Sequence, residues 1–264
     1  MAYSFKQLKK AYENLGVKED RVVLISGNLA YLMEFDTPGK KEVLESHFQA
    51  LTELLGEGGT LVVPTGNIDL CNTDIVFNLE ESASKMGVFS EYTRKKTGAI
   101  RSFHPFVSFA AIGKRAKEIC EDVTRHAFGP ETPMDRLINM DALEISIGLH
   151  PRITGSIIHH IEMVMGVPYR YTKEFIHPVI REGKVVREPF YRHVWYRECD
   201  IQRDVIVKIF KRFLSEFTVK TEKVGRGKVY SYSLAEFYKL TVQLFKEDIF
   251  IWLKEIPKVK PYRN

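Results

Sequence analysis

The chain predicts an α/β fold, a sheet flanked by helices, and three observations carry that prediction. Short apolar runs of strand length alternate with amphipathic stretches of helix length. Glycine and proline punctuate most junctions between them. After residue 166 the texture changes to aromatic and β-branched residues around Glu182-Gly183-Lys184, which reads as a hairpin.

Taken in order, Ser4 to Leu15 sets Phe5, Leu8, Ala11, Tyr12 and Leu15 at helical spacing behind a Ser4 cap. Val22 to Ile25 is a buried strand that opens into Ser26-Gly27-Asn28, a turn whose small residues let backbone N–H groups approach a ligand. Gly39 to Leu55 places Val43, Leu44, Phe48, Leu51 and Leu55 on one helical stripe. Thr60 to Val63 is apolar throughout, as a strand covered on both faces should be. Ile68 to Ser84 has little periodicity, and irregular stretches of that length are often functional.

Met86 to Lys95 reads as a helix carrying Glu91. Pro105 biases His104 towards an extended backbone, so a polar turn at Arg101 to His104 should feed a strand at Phe106 to Ile112. Lys114 to Val123 is a short helix, Phe128 to Pro133 a rigid loop leading into a helix to Leu137, and Ala142 to Ile147 a strand. Beyond the loop Gly148 to Pro151, Thr154 to Val164 is a helix bearing His159, His160 and Glu162. The hairpin spans Tyr169 to Tyr196. Helices at Asp204 to Phe217 and Leu234 to Phe245 then flank strands at Phe217 to Val224 and Lys228 to Tyr232, joined at Gly225-Arg226-Gly227. This organisation divides the chain into residues 1–166, an α/β region, and residues 167–264, a basic α+β region packed on it.

At 264 residues, with 44% hydrophobic and 28% charged side chains, the chain has an ordinary globular composition. No apolar run approaches membrane-spanning length and the N-terminus has no signal-like apolar stretch, so a cytoplasmic protein is expected. Cys71, Cys120 and Cys199 are far apart in sequence, which argues against a disulfide framework or a metal site. The +5 net charge is unevenly spread. Residues 1–166 hold 18 Lys and Arg against 22 Asp and Glu, whereas residues 167–264 hold 21 against 12, net +9. A basic region beside a catalytic scaffold favours an anionic ligand such as a nucleotide or a coenzyme A phosphate.

Five blocks stand in order: Gly56-Glu57-Gly58-Gly59-Thr60-Leu61-Val62-Val63-Pro64-Thr65, Met86 to Glu91, Arg101 to Gly113, Phe128 to Leu137, and His159-His160-Ile161-Glu162. Together they resemble the signatures of the aminoglycoside 3-N-acetyltransferase family. The resemblance implies that family's fold, with a central mixed sheet, and a coenzyme A-dependent N-acyltransferase that needs no metal. The family's turn usually reads His-Ser-Ser where this chain has Ser26-Gly27-Asn28, so only a backbone role at the cofactor carries over there.

Amide formation from a thioester needs a neutral amine and a group to accept its proton. His159 and Glu162, at i and i+3 on one helix face, can supply the acceptor and its orienter. They match the family's His-x-x-Glu element, whose histidine is taken as general base, while His160 points elsewhere and reads as structural. By the same resemblance Arg101, Ser102 and Ser108 belong to the cofactor site, although a strand serine bonded to a backbone carbonyl is the plain alternative for Ser108. Phe128 and Gly129 resemble a wall for the pantetheine arm. Glu91 could bind substrate or be an exposed helix acid. Cys71 has no base beside it in sequence to support a covalent acyl intermediate.

The cluster Tyr169, Arg170, Tyr171 with Tyr191, Arg192, His193, Trp195, Tyr196 and Arg197 would suit a nucleobase and a diphosphate; the plain alternative is that these residues only pack a hairpin. Tyr171, Arg192 and Trp195 are its substrate-binding candidates. The basic third and the altered turn favour a nucleotide-linked amino sugar as acceptor. In this the chain is similar to the acyltransferases of anthrose biosynthesis, which act on a dTDP-linked 4-amino-4,6-dideoxy sugar. Antibiotic acetylation is the alternative acceptor chemistry. Nucleic-acid binding is disfavoured by the lack of a helix-turn-helix or RNA-binding motif, and the oligomeric state stays open.

Overall fold

The computed structural model describes residues 2–33, 35–36, 39–151, 155–203 and 207–263. Among these, a seven-stranded sheet is built from β1 (Val22–Gly27), β2 (Thr60–Pro64), β3 (Ile100–Arg101), β4 (Phe109–Gly113), β5 (Leu143–Ile147), β8 (Lys220–Val224) and β9 (Gly227–Ser233). Its order is β3-β4-β2-β1-β5-β9-β8. β1 runs parallel to β2 and β5, and the other pairs are antiparallel, so the sheet is mixed. A separate hairpin joins β6 (Arg170–Arg181) to β7 (Lys184–Trp195).

Alternate residues of the central strands bury against helices on opposite faces. Val23, Ile25, Leu61, Val63 and Ile145 pack under α1 (Phe5–Asn14), α2 (Lys40–Leu55) and α3 (Val88–Arg94). Val22, Leu24, Val62 and Ala111 pack under α4 (Ala116–Cys120), α5 (Pro133–Asn139), α6 (Ile157–Met165), α7 (Val207–Glu216) and α8 (Leu234–Glu247). A third cluster, with Phe77, Phe106, Phe175, Val179 and Phe190, fastens the hairpin over the irregular stretch after β2. Because β9 pairs with β5, both parts of the chain contribute to one sheet.

Some elements differ from their sequence outlines. The expected strand at Phe106 starts only at Phe109, because the His104 ring accepts the N–H groups of Phe106 and Val107 and holds them in a turn. α4 starts late because the N–H groups of Lys114 and Arg115 go to Gly59 O and Thr60 Oγ1, and it stops before Asp122, whose φ is +50°. α6 begins at Ile157, after Gly155 and Ser156, and Thr154 lies outside the described residues, as does Asp204, the expected start of the helix described from Val207.

Connections leave β1 towards the α2 face, while β5 is reached across the α4–α5 face. The ends of β1 and β5 therefore form a topological switch point, where open α/β sheets place ligands.

Candidate active site

A cavity of about 380 Å³ opens at this switch point, lined by Ser26, Gly27, Asn28, Met86, Gly87, Val88, Ser90, Ile147 and Leu149 among others. Gly27 has φ +104°, and a Cβ there would collide with the Ile147 carbonyl, so the turn needs glycine. The Asn28 N–H donates to that same carbonyl at 2.8 Å. The Asn28 side chain accepts the Ala30 N–H and caps a short 3₁₀ turn. Behind the cavity wall, the Ser26 hydroxyl bonds Glu144, a buried acid whose carboxyl burial raises to about 8.

The cavity adjoins two others that share Val88 with it. One, about 400 Å³, is apolar with Lys40 among its lining; the other, about 490 Å³, carries Lys40, Lys85 and Lys95. Glu91 lines the latter but is already saturated. It accepts from Arg94 at 2.7 and 2.8 Å, from Lys95 at 3.1 Å and from the Ser84 N–H at 2.8 Å. Burial alone would raise its carboxyl, yet these donors hold it at about 2.

His159 lies on α6 with a third of its side chain exposed. Its ring stacks on Trp252, 5.7 Å between centroids, and meets Phe128 at the same separation. His159 Nδ1 is 3.3 Å from Glu162 Oε2, and Glu162 is 2% exposed. Arg170, at the start of β6, donates to the same carboxylate oxygen at 2.8 Å. Burial among the aromatic rings and the nearby Arg170 and Arg203 cations hold His159 below its ordinary value, outweighing the carboxylate. Burial pushes Glu162 up, but His159 and Arg170 together bring it below the usual carboxylate range. The result is a neutral imidazole beside an ionised carboxylate, which is an arrangement suited to taking a proton.

His160 faces the other way, 1% exposed, and accepts the Gly129 N–H at 3.3 Å. It braces the Phe128-Gly129 loop against α6. Gly129, at φ +107°, keeps that loop close to Met163.

Residues 39–246 match the sequence pattern of the family described as aminoglycoside 3-N-acetyltransferase. The chain belongs to that family. Aminoglycoside N(3)-acetyltransferase VII of Streptomyces paromomycinus is 27% identical over 204 residues, covering 69% of this chain and 67% of its own. The prophage-derived aminoglycoside N(3')-acetyltransferase-like protein YokD of Bacillus subtilis strain 168 is 24% identical over 246 residues, covering 84% and 85%. Among solved structures, aminoglycoside acetyltransferase AAC(3)-Xa matches with a TM-score of 0.80 at 21% identity over 92% of both chains. AAC-IIIb in a binary complex with CoASH matches with a TM-score of 0.80 at 16% identity, covering 97% of this chain and 100% of that one.

The acetyltransferase signature residues separate into distinct places. Arg101 is 8% exposed, and all of its guanidinium nitrogens donate inward: Nη1 to the Leu79 and Ser82 carbonyls, Nη2 to Thr65 O at 2.7 Å, and Nε to Ser108 Oγ at 3.1 Å. Ser108 also bonds Thr65 Oγ1 at 2.9 Å, and Ser102 Oγ accepts the Phe109 N–H. Arg101 and Ser108 hold the stretch after β2 onto the sheet, while Ser102 ties the end of β3 to the start of β4. Arg192 donates to Cys71 Sγ at 2.9 Å. Tyr171, 39% exposed, packs against Tyr196, with ring centroids 4.8 Å apart and the planes tilted by 37°. Trp195 lies between the Arg170 and Arg203 guanidinium groups, 4.8 and 4.9 Å from its ring centroid.

Thus His159, Glu162, Phe128 and Trp195 share one corner, with Tyr171 next to Arg170 on β6; Ser26, Gly27 and Asn28 line a cavity that adjoins the one Glu91 lines; and Arg192 pairs with Cys71. Trp252 and Glu144 were not among the sequence candidates. Neither sits in a motif, and each meets its partner only through the fold. Among the described residues no group of three or more His, Cys, Asp or Glu is placed to hold a metal ion. No described helix is long and apolar enough to cross a membrane.

Proposed function

We propose that this N-acetyltransferase acylates a primary amine of an aminoglycoside-type amino sugar, with His159 as general base and Glu162 as its orienting carboxylate. One observation carries the reading: a neutral, part-exposed imidazole is held against a buried carboxylate on one helix face. The printed names of the relatives support the acceptor class.

Bound acyl-coenzyme A supplies the thioester carbonyl at which the amine adds. The cavities fit such a donor: a narrow cavity at Ser26-Gly27-Asn28 suits the pantetheine arm, while the lysines beside the adjoining cavities suit its phosphates. Phe128 and Gly129 form a wall beside His159. With Nδ1–H donating to Glu162, His159 Nε2 takes the proton of the attacking amine and returns it to the departing thiolate. Trp252 and Phe128 fix the ring plane. Arg101 and Ser108 serve this site by holding the loop after β2, Ser102 by tying β3 to β4, and residues 167–264 act as its substrate side.

A second acceptor, a nucleotide-linked amino sugar, is favoured by the +9 charge of residues 167–264 and by the Arg170–Trp195–Arg203 stack. Release of free thiol from acetyl-coenzyme A tests both, using an aminoglycoside panel against a dTDP-linked amino sugar. Turnover with the drugs supports the first acceptor. Turnover with the nucleotide sugar alone replaces it, and none with either class rejects both.

A further inference from the structure

Glu162 Oε2, His159 Nδ1 and Arg170 Nη2 form a closed triangle, with sides of 3.3, 2.8 and 3.3 Å. A guanidinium can only donate and an ionised carboxylate can only accept. Nδ1 therefore donates to Glu162 when it carries a proton and accepts from Arg170 when it does not. Only the first tautomer leaves Nε2 with a free lone pair. Arg170 itself is 7% exposed, and it is fixed by a 2.8 Å bond to Glu162, a 2.9 Å bond to the His193 carbonyl and the face of Trp195.

We propose that Arg170 is a positioning residue for the base: it satisfies the charge of Glu162, so that His159 is held and oriented by a buried carboxylate without being protonated by it. This rests on the reading of His159 as base. Without Arg170, the pair in the corner would be a carboxylate and an imidazole alone, and the imidazole would gain a proton to balance the charge. The other groups facing the ring do not do this work. Tyr169 adjoins Glu162, Trp252 and Phe128 are uncharged, and burial holds His193 neutral, at about 4. Arg203 repels a protonated His159 but makes no bond to Glu162 among the described contacts.

The test is the titration of His159 by side-chain NMR in the full-length protein, assigned by the signal lost in H159Q, alongside the pH profile of kcat/KM. Removing an opposite or like charge at this range shifts a titration by about 1 unit or more. R170M is expected to raise the His159 titration, move the acid limb of kcat/KM up with it and leave partial activity at high pH. E162Q is expected to move the titration down, and R170K to stay near wild type. If R170M folds poorly because it strands a buried carboxylate, E162Q/R170M removes that charge, and its titration should lie below that of R170M and near wild type. An unchanged titration in R170M, or one no higher in E162Q/R170M than in E162Q, with losses only in thermal stability, overturns the proposal and makes Arg170 a packing residue. A shifted titration with full turnover in H159A would instead retain the coupling and sink the base assignment on which it rests.

Discussion

Two corners of the molecule carry polar residues of the family signature and differ in how those polar groups are satisfied. Around Arg101, Ser102, Ser108 and Thr65, each guanidinium nitrogen and hydroxyl has a partner within the protein, and all four residues are buried. Around His159, one carboxylate oxygen serves two donors, the imidazole is a third exposed, and the buried Arg170 Nε, Trp195 Nε1, Trp252 Nε1 and His193 Nδ1 have no hydrogen-bond partner among the described residues. A fully satisfied network holds shape, because its groups have nothing left to offer a ligand. An incompletely satisfied one keeps capacity for chemistry. The comparison teaches that membership of one family signature does not make every signature residue part of the chemistry.

The largest expected effect lies in the second corner. His159→Ala should reduce kcat/KM by between 10² and 10⁴-fold, as loss of a general base does, with little change in melting temperature. Thiol release and a thermal melt on the same sample separate the two. Next in size, Arg101→Met should cost roughly 3 kcal/mol by stranding three carbonyls and a hydroxyl, lowering the melting temperature by about 6–12 °C while the folded fraction keeps its kcat. A kcat loss with an unchanged melt would break the comparison and return Arg101 to direct cofactor contact.

How far the sequence reached follows from whether partners are local. β1 and β2 were legible because strands buried on both faces are largely apolar, β5 because its apolar residues alternate, and α1 because Ser4 and Gln7 form a capping box within one turn. His159 and Glu162 were legible because i and i+3 share a helix face. The strand at Phe106 was misplaced because an imidazole, His104, replaces strand partners for two N–H groups, and no propensity describes that. Glu144 sits in an alternating run, Leu143 to Ile147, that looks half-exposed. Its partner Ser26 is 118 positions away, so neither its burial nor its bond was visible. Arg170 was read among hairpin aromatics, while its bond to Glu162 depends on how β6 docks on α6.

A third prediction concerns acid stability and sharpens the contrast between histidines. His47, His104 and His160 are at most 2% exposed, and burial holds them at about 3, 3 and 4. Each accepts or shares a hydrogen bond that a second ring proton would disturb. Their folded values lie below the unfolded value of about 6.5, so the unfolded chain binds more protons and stability rises with pH. Between pH 7 and pH 6 the three should together cost roughly 2 kcal/mol, read as a fall in the urea midpoint. His160→Asn should remove about a third of that slope. A flat profile would mean that these rings ionise in place.

The smallest effect tests where the substrate side begins. Tyr171 is exposed and packs against Tyr196, which is itself 6.2 Å from Tyr262, so a short row of tilted aromatic rings runs from the start of β6. A stacking contact made by an exposed ring contributes about 0.5–1 kcal/mol, or a factor of roughly two to five in affinity. Tyr171→Ala should therefore raise the acceptor KM by about that factor, leave kcat and the acyl-coenzyme A KM unchanged, and leave the His159 titration where it was. The acceptor matters to the size of the effect. A nucleobase presents a flat face to stack, whereas an aminoglycoside presents only ring hydrogens and ammonium groups, and the latter would meet the neighbouring arginines unfavourably. A KM increase confined to a nucleotide-linked acceptor would assign the row to that base. An equal increase for both acceptors would mean that Tyr171 shapes the mouth of the site and stacks on neither.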